Sequence, residues 1–147
     1  MGKSSLLMRV IQGALETGRE VVYLDLQQFD QEVLAEADRF YRQFCQAIAE
    51  QLRLADGTAA AWAKGGGNNT LASNYMRDQV LRQLKMPLLL AMDEVDRLFE
   101  AEFRSDFFAM LRSWHNNRAS PLPLLRPWKQ LDLALVTATE QIGRAHV

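Results

Sequence analysis

The stretch LLLAMDEVDRLF at residues 88–99 constrains the fold more than any other part of the chain. Its first half is apolar without alternation, so an extended chain there must bury both of its faces. A strand hidden on both sides belongs to a parallel sheet covered by helices above and below. A membrane-spanning helix is excluded, because the run MPLLLAM is seven residues long against the ~18 that a span needs, and charges follow it at once.

The flanking sequence supplies the helices. Leu7, Val10, Ile11, Ala14 and Leu15 recur at three- and four-residue spacing, and Gly18 stands where a left-handed cap would end a helix over residues 3–17. REVVYLDLQ is rich in β-branched and aromatic residues and predicts a strand. In ADRFYRQFCQAIAEQLRL, Phe40, Phe44, Ile48 and Leu52 repeat every fourth residue, the mark of an amphipathic helix.

Residues 55–70, ADGTAAAWAKGGGNNT, hold no stable period and predict a surface loop. Gly65, Gly66 and Gly67 do not make a phosphate loop there, since no Gly-Lys-Ser/Thr follows them. Tyr75, Val80, Leu81 and Leu84 predict a helix over residues 71–85 that Pro87 helps to end. Phe103, Phe107, Met110, Leu111 and Trp114 define another. ASPLPLLRPWKQ reads as a proline-bearing loop leading into LDLALVTATE, a second apolar run that turns polar at its C-terminal end. Helices alternating with strands in this order predict an α/β fold, a three-layer sheet of mainly parallel strands with flanking helices, as one domain.

Composition excludes several classes. The 147 residues are 48% apolar and 24% charged, enough for one globular core and too apolar for a disordered chain. The net charge of −1, with no acidic or basic run, indicates neither a nucleic-acid partner nor a membrane surface. Cys45 is the one cysteine, lies in a helical stretch and is expected to be a small core residue. The expected location is the cytoplasm, with no membrane span in this segment and no leader in view.

Two short motifs carry chemistry. MGKSSLLMRV opens with Gly2, Lys3 and Ser4, the last three signature positions of the phosphate-binding loop G-x-x-x-x-G-K-[ST]. Backbone N–H groups at the start of a helix face an anion, and the lysine ammonium reaches the β- and γ-phosphates. Ser4 would place its hydroxyl on Mg²⁺ and Ser5 would help to cap the helix. About ninety residues on, LLLAMDE sets Asp93 and Glu94 at the C-terminal end of a buried strand, beyond which ligands bind in open α/β sheets. Asp93 would hold Mg²⁺ directly or through water, and Glu94 would polarise the water that attacks the γ-phosphate. ATP and Mg²⁺ are the implied ligands, because no N-K-x-D guanine signature appears.

With these residues quoted, the chain resembles the P-loop NTPases of the additional-strand class, whose Walker B strand ends in Asp-Glu, and within them the bacterial AAA-like domain of the AAA+ and STAND kind. MGKSSLLMRV, VVYLDLQ, FYRQFCQAIAEQL, LLLAMDEVDRLF, FFAMLRSWHN and LALVTATE carry the resemblance over residues 1 to about 140. It implies an ATP-driven regulatory switch joined to effector modules or acting through self-association. It also implies a polar sensor at the end of the VTATE strand, for which Thr137 and Thr139 are candidates that read equally well as strand-end caps. Asp96 is a candidate to orient water or metal, though a helix cap is the simpler role. Arg97, Arg104, Arg112 and Arg118 are arginine-finger candidates among which nothing chooses. His115 is expected on a helix surface.

The chain departs from that family at both ends. The first strand and the front of the phosphate loop are missing, so Met1 is expected to be an internal residue, with a partial ATPase domain over 1–141. IGRAHV at 142–147 resembles a translated sequencing adapter, with Gln141 at the junction, and is expected to be a non-native tail. A missing central strand removes on the order of 10 kcal/mol of burial as an upper bound. Whole domains are stable by only ~5–15 kcal/mol, so the isolated chain is expected to be weakly stable and poorly active. Other readings remain open: a DNA-associated ATPase of the initiator or loader kind, and a module that binds nucleotide without hydrolysing it.

Overall fold

The computed structural model describes residues 2–137, with side chains from Ser5 onward. Three parallel strands form the sheet: β1 (Glu20–Asp25), β2 (Leu88–Asp93) and β3 (Leu131–Leu135), in the order β1-β2-β3. In register, Glu20 faces Leu88 and Asp25 faces Asp93, while Leu88 faces Leu131. All six residues of β2 are buried: the five apolar ones, as their unbroken run requires, and Asp93 at its end. The strand stops at Asp93, and residues 95–98 wind into a single 3₁₀ turn.

Alternation along the strands sorts side chains into two layers. Leu89 and Ala91 of β2, with Ala134 of β3 and Val136 beyond it, face α1 (Gly2–Glu16), where they meet Leu7 and Ala14. Val10, Ile11, Val21 and Tyr23 complete that layer from its rim. Leu15, expected on the same stripe, is instead 58% exposed. It follows buried Ala14 directly, and one helical residue turns the side chain by about 100°. Gly18 takes the positive φ expected of a cap, and residues 17–19 then reverse the chain into β1. Helix α1 therefore runs antiparallel to the strands, and its first turn lies over the end of the sheet at which they finish.

The opposite face carries the larger core. Val22, Leu24, Leu88, Leu90, Met92 and Leu131 meet α3 (Ala37–Gln51) and α6 (Arg104–Asn117). Phe40 has no exposed surface and packs its ring against Phe29, Tyr41, Phe44, Phe103 and Phe107, with centroids 4.9–6.1 Å away. The apolar residues predicted for α6 are all buried. Cys45 is fully buried, and the cost of desolvating a thiolate pushes its thiol far up from the ordinary range.

Several expectations of loop give way to short helical turns. Within residues 55–70 the chain forms α4 (Thr58–Ala63) and begins α5 (Asn68–Asn74). Asp56 accepts from both the N–H and the hydroxyl of Thr58, and local bonds of this kind order a segment whose apolar pattern has no period. The helix predicted over 71–85 continues α5 as a π turn, Tyr75–Val80, and a 3₁₀ turn, Leu81–Gln83. The wider turn lets Tyr75, Met76, Val80 and Leu81 all face inward. Residues Pro123–Gln130, expected as loop, wind into 3₁₀ geometry that buries Trp128 against Trp114. A short α2 (Gln31–Leu34) was not anticipated. Among the described residues, no helix is long and apolar enough to cross a membrane.

Phe40→Ala is expected to lower unfolding free energy by about 3–5 kcal/mol, the range for removing a fully packed aromatic ring, as read from urea denaturation. A pH effect follows from Asp78. Hydrogen bonds from Arg77, reinforced by Arg82, hold its carboxyl down at about 2 from an ordinary 3.8. Because the folded state favours the ionised form, this contribution is complete above 3.8 and is lost as pH falls toward about 2. Urea midpoints measured on either side of that window should fall with acid, and Asp78→Asn should flatten that part of the fall.

Candidate functional site

The carboxylates converge where β1 and β2 end. Asp93 is the last residue of β2 and only 7% exposed, a buried acid at the mouth of an apolar strand. Burying a carboxylate is costly unless hydrogen bonds hold it, and here two do. Its Oδ2 accepts from the Tyr23 hydroxyl at 3.1 Å, and its Oδ1 accepts from the Glu94 backbone N–H at 2.9 Å. Asp25 stands opposite Asp93 in the register of the neighbouring strand. Its own Oδ1 accepts from the Gln27 N–H at 2.9 Å, capping the 3₁₀ turn Leu26–Gln28.

Glu94 turns the chain off the sheet. It adopts φ 61° and ψ 37°, the left-handed region that a residue with a Cβ enters at a cost of roughly 1–3 kcal/mol. Asp93 stabilises that turn by accepting its N–H, and the Gln27 side-chain amide donates to Glu94 Oε1 at 2.8 Å. The strand behind it is tied down as well: Val136 N–H donates to Met92 O at 2.9 Å, and Val95 N–H donates to Val136 O at 3.1 Å. Glu94 thus sits on a strained corner held by Asp93 and by the turn after β1, with Met92 and Val95 around it tied to Val136.

Three carboxylates at this corner, Asp93, Asp25 and Glu94, act on one phenol. Tyr23 is raised from 10.0 to about 12, first by partial burial, then by its bond to Asp93 and by the charges of Asp93, Asp25 and Glu94. The phenol is therefore the donor in its bond to Asp93 throughout the neutral range. Among the described residues, no cluster of three or more His, Cys, Asp or Glu is arranged to hold a metal by itself.

The other sequence candidates fall as follows. Gly2, Lys3 and Ser4 form the first turn of α1 by backbone, and their side chains lie outside the described part. Ser5 is exposed in that same turn. Thr137 follows Val136 and is 9% exposed, buried beside the strand ends. Thr139 and the residues after it lie outside the described residues. Asp96 lies inside the 3₁₀ turn whose cap position is Glu94, not at the cap itself.

Arg97 donates to the carbonyls of Leu26 and Phe29, and Arg104 to that of Ala101, so both brace their own fold. Arg118 pairs with Asp132 at 2.8 Å, and Arg19 pairs with the same carboxylate. Arg112 is exposed, and His115 is exposed on α6 as expected.

Two residues of this corner escaped the sequence reading, Tyr23 and Gln27. Tyr23 could have been placed on the face of Asp25 by the period of two, but only the register of β1 against β2 brings it to Asp93. Gln27 belongs to a turn after a strand, where spacing gives no direction.

A family model described as an AAA-like domain matches residues 1–147. No curated protein and no solved structure matches the chain.

Proposed function

The chain belongs to the AAA-like domain family, which makes it a nucleotide-binding module of the ATPase type, and from that premise we propose that it binds Mg-ATP and hydrolyses it as a regulatory switch. The observation that supports this reading best is the Asp93–Glu94 corner. It places one buried, doubly hydrogen-bonded carboxylate and one strained, oriented carboxylate at the C-terminal end of the central strand, where open α/β sheets receive their ligands.

The donor chemistry fits a hard cation. Asp93 offers carboxylate oxygens that each hold one hydrogen bond and keep further lone pairs for an ion or its water. Mg²⁺ takes one or two protein carboxylates and keeps the rest of its shell for water and phosphate oxygens, so a three-ligand protein cluster is not required. In this reading Gly2, Lys3, Ser4 and Ser5 receive the phosphates at the start of α1, and the Ser4 hydroxyl joins Asp93 as a metal ligand. When bound, the ion supplies charge neutralisation at the transferring phosphoryl group.

Glu94 holds the attacking water and takes its proton, and Gln27 sets the direction its carboxylate faces. Thr137 or Thr139 supplies the polar sensor beside them. Release of phosphate then changes the state of effector modules or of a second copy; the resemblance to domains of that kind supports this step.

The test is nucleotide binding and phosphate release in the protein as its gene encodes it. Glu94→Gln keeps the acceptor for Gln27 and removes the base. Turnover is expected to fall on the order of 10²-fold or more, the low end of what a positioned base contributes, with Mg-ATP affinity retained. Unchanged turnover would remove Glu94 from the catalytic role. Lys3→Ala should abolish binding, and binding that survives it would overturn the phosphate site. Turnover that rises on adding DNA would move the reading to the initiator or loader kind.

A further inference from the structure

We infer that Tyr23 is a positioning residue for Asp93, its hydroxyl fixing the plane of that carboxylate toward the cation, and that Gln51 positions Tyr23 in turn. The inference rests on the reading of Asp93 as a metal ligand and extends it to residues that carry no phosphate or metal motif.

Tyr23 faces Ala91 across the parallel pair, and its side chain lies on the α1 face of the sheet with Val21, Leu89 and Ala91. Asp93 is two residues further along β2 and therefore on the same face. A tyrosine is long enough to span that diagonal, and its Oη lies 3.1 Å from Asp93 Oδ2.

The second oxygen of Asp93 is held by the Glu94 N–H, which belongs to Asp93's own turn. One bond alone leaves the carboxylate free to swing about a terminal torsion that has broad minima. Two bonds, one from the neighbouring strand and one from its own turn, define its plane.

The anchor is itself anchored. Gln51, the last residue of α3, presents its side-chain amide to the outer edge of β1 as a further strand would. Its Oε1 accepts from Tyr23 N–H at 2.9 Å, and its Nε2 donates to Tyr23 O at 2.7 Å. The path runs from α3 through the Tyr23 backbone and ring to the buried acid.

The experiment uses Mn²⁺ as a spin probe in place of Mg²⁺, with the protein as its gene encodes it, and reads bound Mn²⁺ in the presence of ATP by electron paramagnetic resonance. ATP affinity is measured in parallel in excess EDTA. Tyr23→Phe keeps the ring packing and removes only the hydroxyl. The expected result is a loss of Mn²⁺ affinity of about 10-fold or more, as for other groups that orient a metal ligand, with metal-free ATP affinity unchanged.

Mn²⁺ affinity within twofold of the parent, while Asp93→Asn still abolishes it, would overturn the role of Tyr23 and leave the metal site standing. Mn²⁺ affinity that survives Asp93→Asn would overturn the metal site and this inference with it. Equal losses of Mn²⁺ and metal-free ATP affinity in Tyr23→Phe would mark a general loosening and also refute positioning. Gln51→Ala, which leaves the hydroxyl in place, should shift Mn²⁺ affinity in the same direction by a smaller factor; no shift removes Gln51 from the path.

Discussion

The burial of β2 on both faces is the constraint on which the rest of the structure depends. A six-residue strand with every side chain hidden cannot stand at the surface of anything. It requires a neighbour on each side and a layer above and below. The layers differ in depth. Helix α1 covers one face through small and branched residues, whereas α3 and α6 cover the other with an aromatic cluster centred on Phe40. Because the strand is apolar up to Met92 and acidic from Asp93, polar chemistry is confined to one end of it. That end lies beside the first turn of α1.

The corner at Asp93 and Glu94 is held by one bond that answers two opposed costs. Burying Asp93 and forcing Glu94 into the left-handed region are both unfavourable. The N–H of Glu94, bonded to Asp93, offsets part of each at once. Tyr23 and Gln27 add bonds from the neighbouring strand and its following turn.

Much of this was readable in the residues, and the remainder fails for identifiable reasons. The two-sided burial of β2, the stripe of α6 and the burial of Cys45 follow from apolar pattern, which reports on burial directly. The turns at Thr58–Ala63 and Pro123–Gln130 have the sequence pattern of loops because short helices are set by local hydrogen bonds and by single anchors such as Trp128, not by period. Asp93 and Glu94 stand out in the sequence because acids interrupt an apolar run. Tyr23, Gln27 and Gln51 do not stand out, since their roles depend on strand register and on a helix end meeting a sheet edge, and no local spacing encodes either.

The two edges of the sheet are also unlike, and the difference comes from side chains rather than from strand number. At β1 the Gln51 amide occupies both the N–H and the C=O of Tyr23, so a strand arriving there would have to displace a bonded pair. At β3, pairing among the described residues is with β2 alone. Growth of the sheet is therefore obstructed on the side of β1 by the same glutamine that holds Tyr23.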